Sequence, residues 1–337
     1  MSARPELLDA IRLATLAPSG HNAQPWTFMM VEDGVAIFPD LTRRLPVVDP
    51  QDRELYVGLG CALENLCLGA RHAGLKPTVE YFPAAHPSAL MIHLGAGPAA
   101  GDDADLVGAI PERQSTRGPY ERRPLPADHL AALERAARED GVAVHLTTAQ
   151  TQIDMLAGLV EHATLAQYRS PGFRAELSSW IRFNREEADE HADGLTYAAM
   201  GRAGAPRWLG ATVLKTLISA KSEAKRAARL VRNAPTVMVF APREDDKQHW
   251  VGVGRSFERV ALTATALGIR HAHANMVCEV TETRHRLGSY LGLGLAEPLV
   301  VIRLGYAKVR PRAPRRPLDE VVVRRPVAAP APTPARR

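Results

Sequence analysis

The chain of 337 residues lacks any apolar run long enough to cross a bilayer, which needs about 18 or more such residues in succession. Its opening, Met1 to Leu16, carries acids and an amphipathic rhythm instead of the basic-then-apolar blocks of a secretory signal. Both absences point to a cytoplasmic protein with no membrane partner. Cysteine is scarce: Cys61, Cys67 and Cys278 form no C-x-x-C pair, which fits a reducing compartment and reads as three buried small apolar residues. Aromatic residues make up only 5% of the chain and lysine is rare beside arginine, so the net charge of +5 does not describe a nucleic-acid surface with interleaved aromatics. Much of that charge sits in the Arg, Pro and Ala stretch from Val309 onward. Past Val323 the composition predicts a solvated, disordered extension.

What is present is 46% hydrophobic residues, enough for a packed core, and an internal echo. Tyr56 to Leu75 aligns without a gap on Trp250 to Ile269, an offset of 194 residues, with seven of twenty positions identical. Chance pairing gives about one or two. Both copies read as helices that are apolar on most sides and end at a glycine, so each is expected at the centre of the core. A second echo follows each, Met91-Ile92-His93-Leu94-Gly95 against Val301-Ile302-Arg303-Leu304-Gly305, with the look of inner strands. Earlier strands are expected at Trp26 to Val31 with Val35 to Phe38, and at Thr236 to Ala241. The fold class is α+β, built twice: residues 1–110 as a first half, 111–323 as a second, and 324–337 as the tail. Residues 151–232 read as a polar helical insert in the second half. An insert of that length either caps a site as a lid or runs over the surface as a plain excursion.

Three segments carry chemistry. Helical spacing of Leu7, Leu8, Ile11 and Ala14 stops at Pro18, which leaves Ser19-Gly20-His21-Asn22-Ala23-Gln24-Pro25-Trp26 as a polar turn with backbone N–H groups and side-chain amides suited to a planar heterocycle. Arg113-Gln114-Ser115-Thr116-Arg117 places two guanidinium forks and a hydroxyl at alternate positions, a set that can converge on a phosphate dianion. Arg312 to Val321, directly after the last core strand, can bring Arg315 to the same phosphate or begin the basic tail. Two other clusters were weighed for metals. His271-x-His273 lacks a third ligand nearby, and Glu187 with His191 lacks the second copy that a di-iron bundle needs, so no metal is assigned.

Taken together, Pro18-Ser19 with Asn22 and Gln24-Pro25-Trp26, then Arg113, Ser115 and Arg117, then Arg315 with Pro317-Leu318, resemble the nitroreductase superfamily, and most closely its long single-chain Acg-type FMN-binding members. The resemblance runs from about Glu6 to Val322. It implies a nitroreductase-like fold whose two halves form an internal pseudo-dimer, so a monomer suffices to bind cofactor while further self-association stays open. It implies FMN, with NAD(P)H and a small nitro compound or quinone as partners. The implied cofactor residues are Pro18, Ser19, Gly20, Asn22, Gln24, Arg113, Gln114, Ser115, Arg117, Asn275, Met276 and Arg315, and no side chain is assigned a catalytic role. Each motif occurs once, the turn in the first half and the phosphate loop in the second, which implies one complete flavin site per chain. Gln114 stands where many relatives carry a basic residue. The stretch His271 to Met276 lacks the acid-glycine pair of many active reductases, and this keeps a second reading open, an FMN-binding protein that stores or shields flavin beneath the insert.

Overall fold

The computed structural model describes residues 5–97, 104–294 and 296–323, so the stretch past Val323 expected as a disordered tail lies outside the described residues. The first half runs α1 (Pro5–Ala14), β1 (Trp26–Val31), β2 (Gly34–Pro39), α2 (Arg53–His72), β3 (Leu75–Tyr81) and β4 (Leu90–Ala96). After α3 (Ala104–Ala109) come α4 (Ala127–Ala136) and β5 (Val142–Thr147). Then follow α5 (Gln150–Arg169), α6 (Pro171–Trp180), β6 (Ile181–Arg182), α7 (Arg185–His191), β7 (Leu195–Thr196), α8 (Arg207–Thr212) and α9 (Ala220–Arg232). The chain continues through β8 (Thr236–Pro242), α10 (Lys247–Ala266), β9 (Arg270–His273), α11 (Met276–Glu279), α12 (Thr281–Tyr290), β10 (Val300–Gly305) and α13 (Leu318–Val321).

The strands form two four-stranded antiparallel sheets in the orders β1-β2-β4-β3 and β5-β8-β10-β9. With α1 set against α4 and α2 against α10, the two orders are the same. The echoed strands β4 and β10 are inner strands of their sheets, whereas β3, β5 and β9 were not anticipated. Polar residues alternate along β3, and β9 spans only four residues around two histidines, so neither shows an apolar run.

Between the sheets, α2 and α10 cross inside one large apolar cluster. A Cβ added at Gly60 would lie 2.1 Å from the Val251 carbonyl oxygen, and one at Gly254 would lie 2.0 Å from the Val57 carbonyl oxygen. Gly60 and Gly254 are 194 residues apart, as are Val57 and Val251, so the contact is self-complementary in the manner of a two-fold interface. The shared glycines are what let two backbones meet there.

Faces alternate along β8. Met238 and Phe240 join the central cluster, while Val237 and Val239 face a second cluster formed with Ile153, Leu156 and Val160 of α5 and Ala228 and Val231 of α9. The insert replaces the tight Glu32-Asp33 turn that joins β1 to β2, because β5 and β8 pair in the same way. Its two ends are therefore core helices that cover the outer face of the second sheet, and only the middle portion reaches over the first half. The expectation of an all-polar excursion fails at α5, whose buried residues recur at helical spacing.

After β10 the chain runs back across the first half. Val321 is fully buried, Val322 pairs with Phe28, and the Val323 N–H donates to the Phe28 carbonyl oxygen at 2.8 Å.

Candidate functional site

The turn after α1 is held in an unusual backbone conformation. His21, Asn22 and Gln24 have φ of 49°, 57° and 53°, left-handed values that non-glycine residues rarely adopt and that persist only where surroundings enforce them. The enforcement is visible. Ser19 Oγ accepts the Gln24 N–H at 2.9 Å, and Asn22 Nδ2 donates to the carbonyl oxygens of Gly194 and Pro314, each at 3.2 Å. Gln24 donates from Nε2 to the Ala192 carbonyl oxygen at 2.9 Å and accepts the Arg316 N–H on Oε1 at 2.9 Å. The turn is thus stitched to the insert and to the C-terminal segment at once.

The phosphate-type loop reaches the same place from the second half. Ser115 bridges His271 on β9, and the Thr116 N–H donates to the His271 carbonyl oxygen at 2.8 Å. Arg113 Nη2 donates to the Leu16 carbonyl oxygen at 2.7 Å, and Arg315 Nη2 donates to that same oxygen at 3.2 Å. One carbonyl at the end of the first helix therefore joins three segments that are remote in sequence.

Two adjoining cavities, of about 120 Å³ and about 200 Å³, open where these segments meet, and Pro18, Ser19, Arg117, Leu195 and His273 line both. Side by side they reach the lower edge of the roughly 300–1,000 Å³ range of small-molecule sites. Asn22, Arg113, Gln114, Ser115 and Arg315 complete the wall of the smaller cavity. Gly20, Asn275 and Met276 belong to the larger one, with His21, Glu54, Val57, Gly58, Cys61, Phe257, Glu279 and Val300. Of the residues expected at the site, only Gln24 lines neither. It is fully buried, and both ends of its amide are bound to backbone, so it shapes the turn from behind. The amide of Asn275 is engaged as well, donating to Glu54 Oε1 at 2.8 Å and accepting the Val301 N–H at 2.9 Å.

The smaller cavity is electropositive. Burial and the neighbouring Arg113 charge bring the Arg315 pKa down to about 9. Arg117 is lowered by burial and by Arg303, and its guanidinium makes no hydrogen bond or ion pair among the described residues. Arg315 Nε and Gln114 Nε2 are buried donors without partners. Burial first, then the charge of Arg117, brings His21 and His273 down to about 4, and burial with Arg113 holds His271 well below its usual value. These rings are neutral at pH 7, and His271 and His273 pack edgewise on Phe257. Glu187, also weighed as a ligand, instead accepts the Phe183 N–H at 3.0 Å and pairs with Arg207 at 3.0 Å.

The His273 shift carries a stability prediction. Its folded pKa of about 4 lies below the unfolded value of 6.5, so the unfolded chain takes up the proton first as pH falls. Its contribution is present above about 6.5 and is lost toward about 4, roughly 3 kcal/mol in all, of which roughly 2 goes between about pH 7 and pH 5. His273→Gln should lose less stability than the native chain between about pH 7 and pH 5, as measured by urea unfolding; equal losses would show that the ring is protonated in the fold.

Sequence reasoning missed Glu54, Glu279 and Leu195. The first two are single acids at helix ends with no motif around them, and Leu195 comes from the insert, which has no counterpart in the first half.

The symmetry-related position, on the other side of the helix crossing, is filled. An offset of 194 relates Cys61, Gly58 and Asn275 of the larger cavity to Arg255, Gly252 and Tyr81. Arg255 donates to Glu64 Oε2 at 2.8 Å, to the Tyr81 hydroxyl at 2.9 Å and to Glu139 Oε1 at 3.1 Å, and Arg259 joins the same two acids. An ion-pair cluster stands where the first side has open space.

No family model matches the chain. Curated relatives do. The Mycobacterium tuberculosis protein named "Putative NAD(P)H nitroreductase Rv3131" is 25% identical over 320 residues, covering 93% of this chain and 89% of its own. Another from the same organism, "Putative NAD(P)H nitroreductase acg", is 25% identical over 326 residues, covering 93% and 94%. Among solved structures, the FMN-dependent nitroreductase NfnB of Mycobacterium smegmatis, in complex with NADPH, is 18% identical with a TM-score of 0.43, covering 66% of this chain and 99% of that one. By sequence the chain is therefore similar, along nearly its whole length, to proteins named as putative NAD(P)H nitroreductases, the Acg type among them.

Proposed function

We propose that the chain binds one FMN in the joined cavities and works as an oxidoreductase, passing hydride from NAD(P)H to a small organic acceptor such as a nitro compound or quinone. The observation that carries this reading is the convergence of the Pro18–Asn22 turn, the Arg113–Arg117 loop and Arg315 around unpartnered cationic and amide donors. A phosphate fits that donor set: the Arg315 Nε, the Gln114 Nε2 and the free Arg117 guanidinium are short of acceptors, and a dianion supplies them. Ser115 adds a hydroxyl, and Arg113 fixes the loop to the first half. Gln114 in place of a cation leaves the cradle one charge lower without removing a donor.

FMN, when bound, supplies the two-electron carrier, and the protein supplies position and electrostatics. Pro18, Ser19, Gly20 and the left-handed His21 line the larger cavity, and Met276, Val57 and Phe257 give it an apolar wall. Asn275 is tied down by Glu54 and Val301, so its part is to fix the wall. The filled counterpart around Arg255 supports a stoichiometry of one flavin per chain, and the helix crossing supports the internal pseudo-dimer as the unit that binds it.

A second reading is favoured by one specific contact set. Ala192 and Gly194 of the insert bond the turn, and Leu195 and Ala199 line the cavities, so the insert lies over the site. In that reading the protein stores or shields flavin.

Titration of purified protein with FMN, followed by anaerobic addition of NADPH, tests both. We expect a yellow protein saturating at one FMN per chain, bleached by NADPH and reoxidised by a nitroaromatic or quinone. A yellow protein that NADPH cannot bleach supports shielding, and a protein that refuses FMN sinks the flavin reading altogether.

A further inference from the structure

The larger cavity contains a feature that flavin binding does not use, two carboxyl groups brought in from opposite halves. Glu54 lies in the first turn of α2 and Glu279 closes α11, and both line the cavity. Glu54 Oε1 accepts from Asn275 at 2.8 Å, while its Oε2 lies 3.5 Å from where a Cβ on Gly20 would stand, so one carboxyl edge faces the turn. Glu279 is held by the Gln167 side chain of α5. We propose that Glu54 and Glu279 form the acceptor-selecting wall of this site, taking a neutral ring that bears a nitro or carbonyl oxygen and rejecting one that bears a carboxylate. This rests on the flavin reading above.

The charge map around the pair leads to this. Cations close to the acids are already engaged: Arg53 binds Asp245 at 2.5 Å and Glu297 at 2.8 Å, and Arg284 binds Glu297 at 2.6 Å. Asp49 adds a third carboxyl on the same side, and Glu176, which also faces Glu279, is turned to the backbone N–H groups of Val47 and Val48. His21 and His273 on the cavity wall are neutral, the Cys278 thiol is buried, and Arg117 stands toward the phosphate end. In the flavin reading Arg117, which lines this cavity too, is matched by the phosphate, and buried carboxyl groups gathered on one wall then favour their protonated forms. Burial and mutual repulsion accordingly raise Glu54 well above the usual range, Glu279 to about 7 and Asp49 to about 6.

A protonated carboxyl donates a hydrogen bond to a nitro or carbonyl oxygen, whereas a ligand carboxylate adds one more negative charge to a site that cannot neutralise it. Val57, Leu195, Phe257, Met276 and Val300 offer apolar surface for the ring itself. Above about pH 7 Glu279 loses its proton and with it a donor, so affinity for the neutral ligand falls as pH rises.

The test is calorimetric binding of 4-nitrobenzamide and 4-nitrobenzoate to flavin-loaded protein, without NADPH, at about pH 6 and about pH 8.5. We expect the amide to bind about tenfold tighter than the benzoate at the lower pH and to weaken by a similar factor at the higher one, the effect of one hydrogen bond to a cavity donor. Glu279→Gln and Glu54→Gln keep a donor and lose the charge, so each should flatten the pH dependence. Equal binding of the two ligands, or a pH dependence unchanged in both variants, overturns the proposal. Should a variant fail to fold, as circular dichroism would reveal, the comparison of the two ligands on the native protein still decides. A colourless protein overturns the flavin reading and this inference together, whereas a yellow protein without discrimination overturns this inference alone.

Discussion

Gly60→Ala is expected to destabilise the protein by about 3 kcal/mol or more, the upper end of what overpacking costs in a core. The added methyl would stand 2.1 Å from a backbone oxygen of α10, at Val251, and a backbone oxygen cannot rotate away as a side chain can. Helix propensity works against this, since alanine is favoured over glycine by about 1 kcal/mol in a helix. The contact wins because relieving it means parting α2 from α10, which carry much of the central cluster. Gly254→Ala should behave alike, with its methyl 2.0 Å from the Val57 carbonyl oxygen. The double variant should cost less than the sum, because both methyl groups force open one crossing. A thermal midpoint lower by about 4 °C or more is the expected readout for a chain of this size. A shift within about 2 °C for either variant would contradict the close approach.

Arg117→Met is expected to weaken FMN binding about 10- to 100-fold while leaving riboflavin binding nearly unchanged. Among the described residues the Arg117 guanidinium has neither a hydrogen bond nor an ion pair, although it is half-buried and lowered in pKa by burial and by Arg303. A cation held in that state gains from an anion placed beside it, and charge-assisted hydrogen bonds of this kind are worth about 1.5–3 kcal/mol. Because riboflavin lacks the phosphate, the ratio of the two affinities isolates the contact from any general loosening of the fold. Methionine keeps most of the stem and so most of the packing. Fluorescence titration of both flavins against both proteins gives the four affinities required. Parallel losses for FMN and riboflavin would move Arg117 from the phosphate to the ring or to the scaffold.

Much of the layout was legible because it is repeated. The Tyr56–Leu75 and Trp250–Ile269 echo marks the two central helices, and one glycine pair shared by both copies, Gly60 with Gly254, is where the helices touch. Periodicity also located β1, β2, β8 and β10, whose apolar faces meet the core. It did not find β3 or β9, whose residues alternate or are histidines, and it misread α5, whose buried face is made largely of leucine, valine and alanine between polar residues. Residue type marked the Pro18–Gln24 turn and the Arg113–Arg117 loop only as candidates, and it was the family resemblance that joined them into one expected site. Glu54 and Glu279 were not. An isolated acid at a helix end is ordinary in a sequence, and only the burial of two of them on one cavity wall in three dimensions makes it otherwise.

The sequence by itself determined the α+β class, the doubled core and the three segments that carry the candidate chemistry, because these follow from local spacing and side-chain type. Tertiary structure alone decided that Leu16 offers one carbonyl to arginines from two remote segments, and that Gln24 stands behind the turn instead of facing the cavity. It also decided that Arg255 fills the counterpart position and that two acids from different halves share one wall. Each of these depends on distances between residues far apart in the chain, which are set when α2 and α10 pack and are encoded in no single stretch of it.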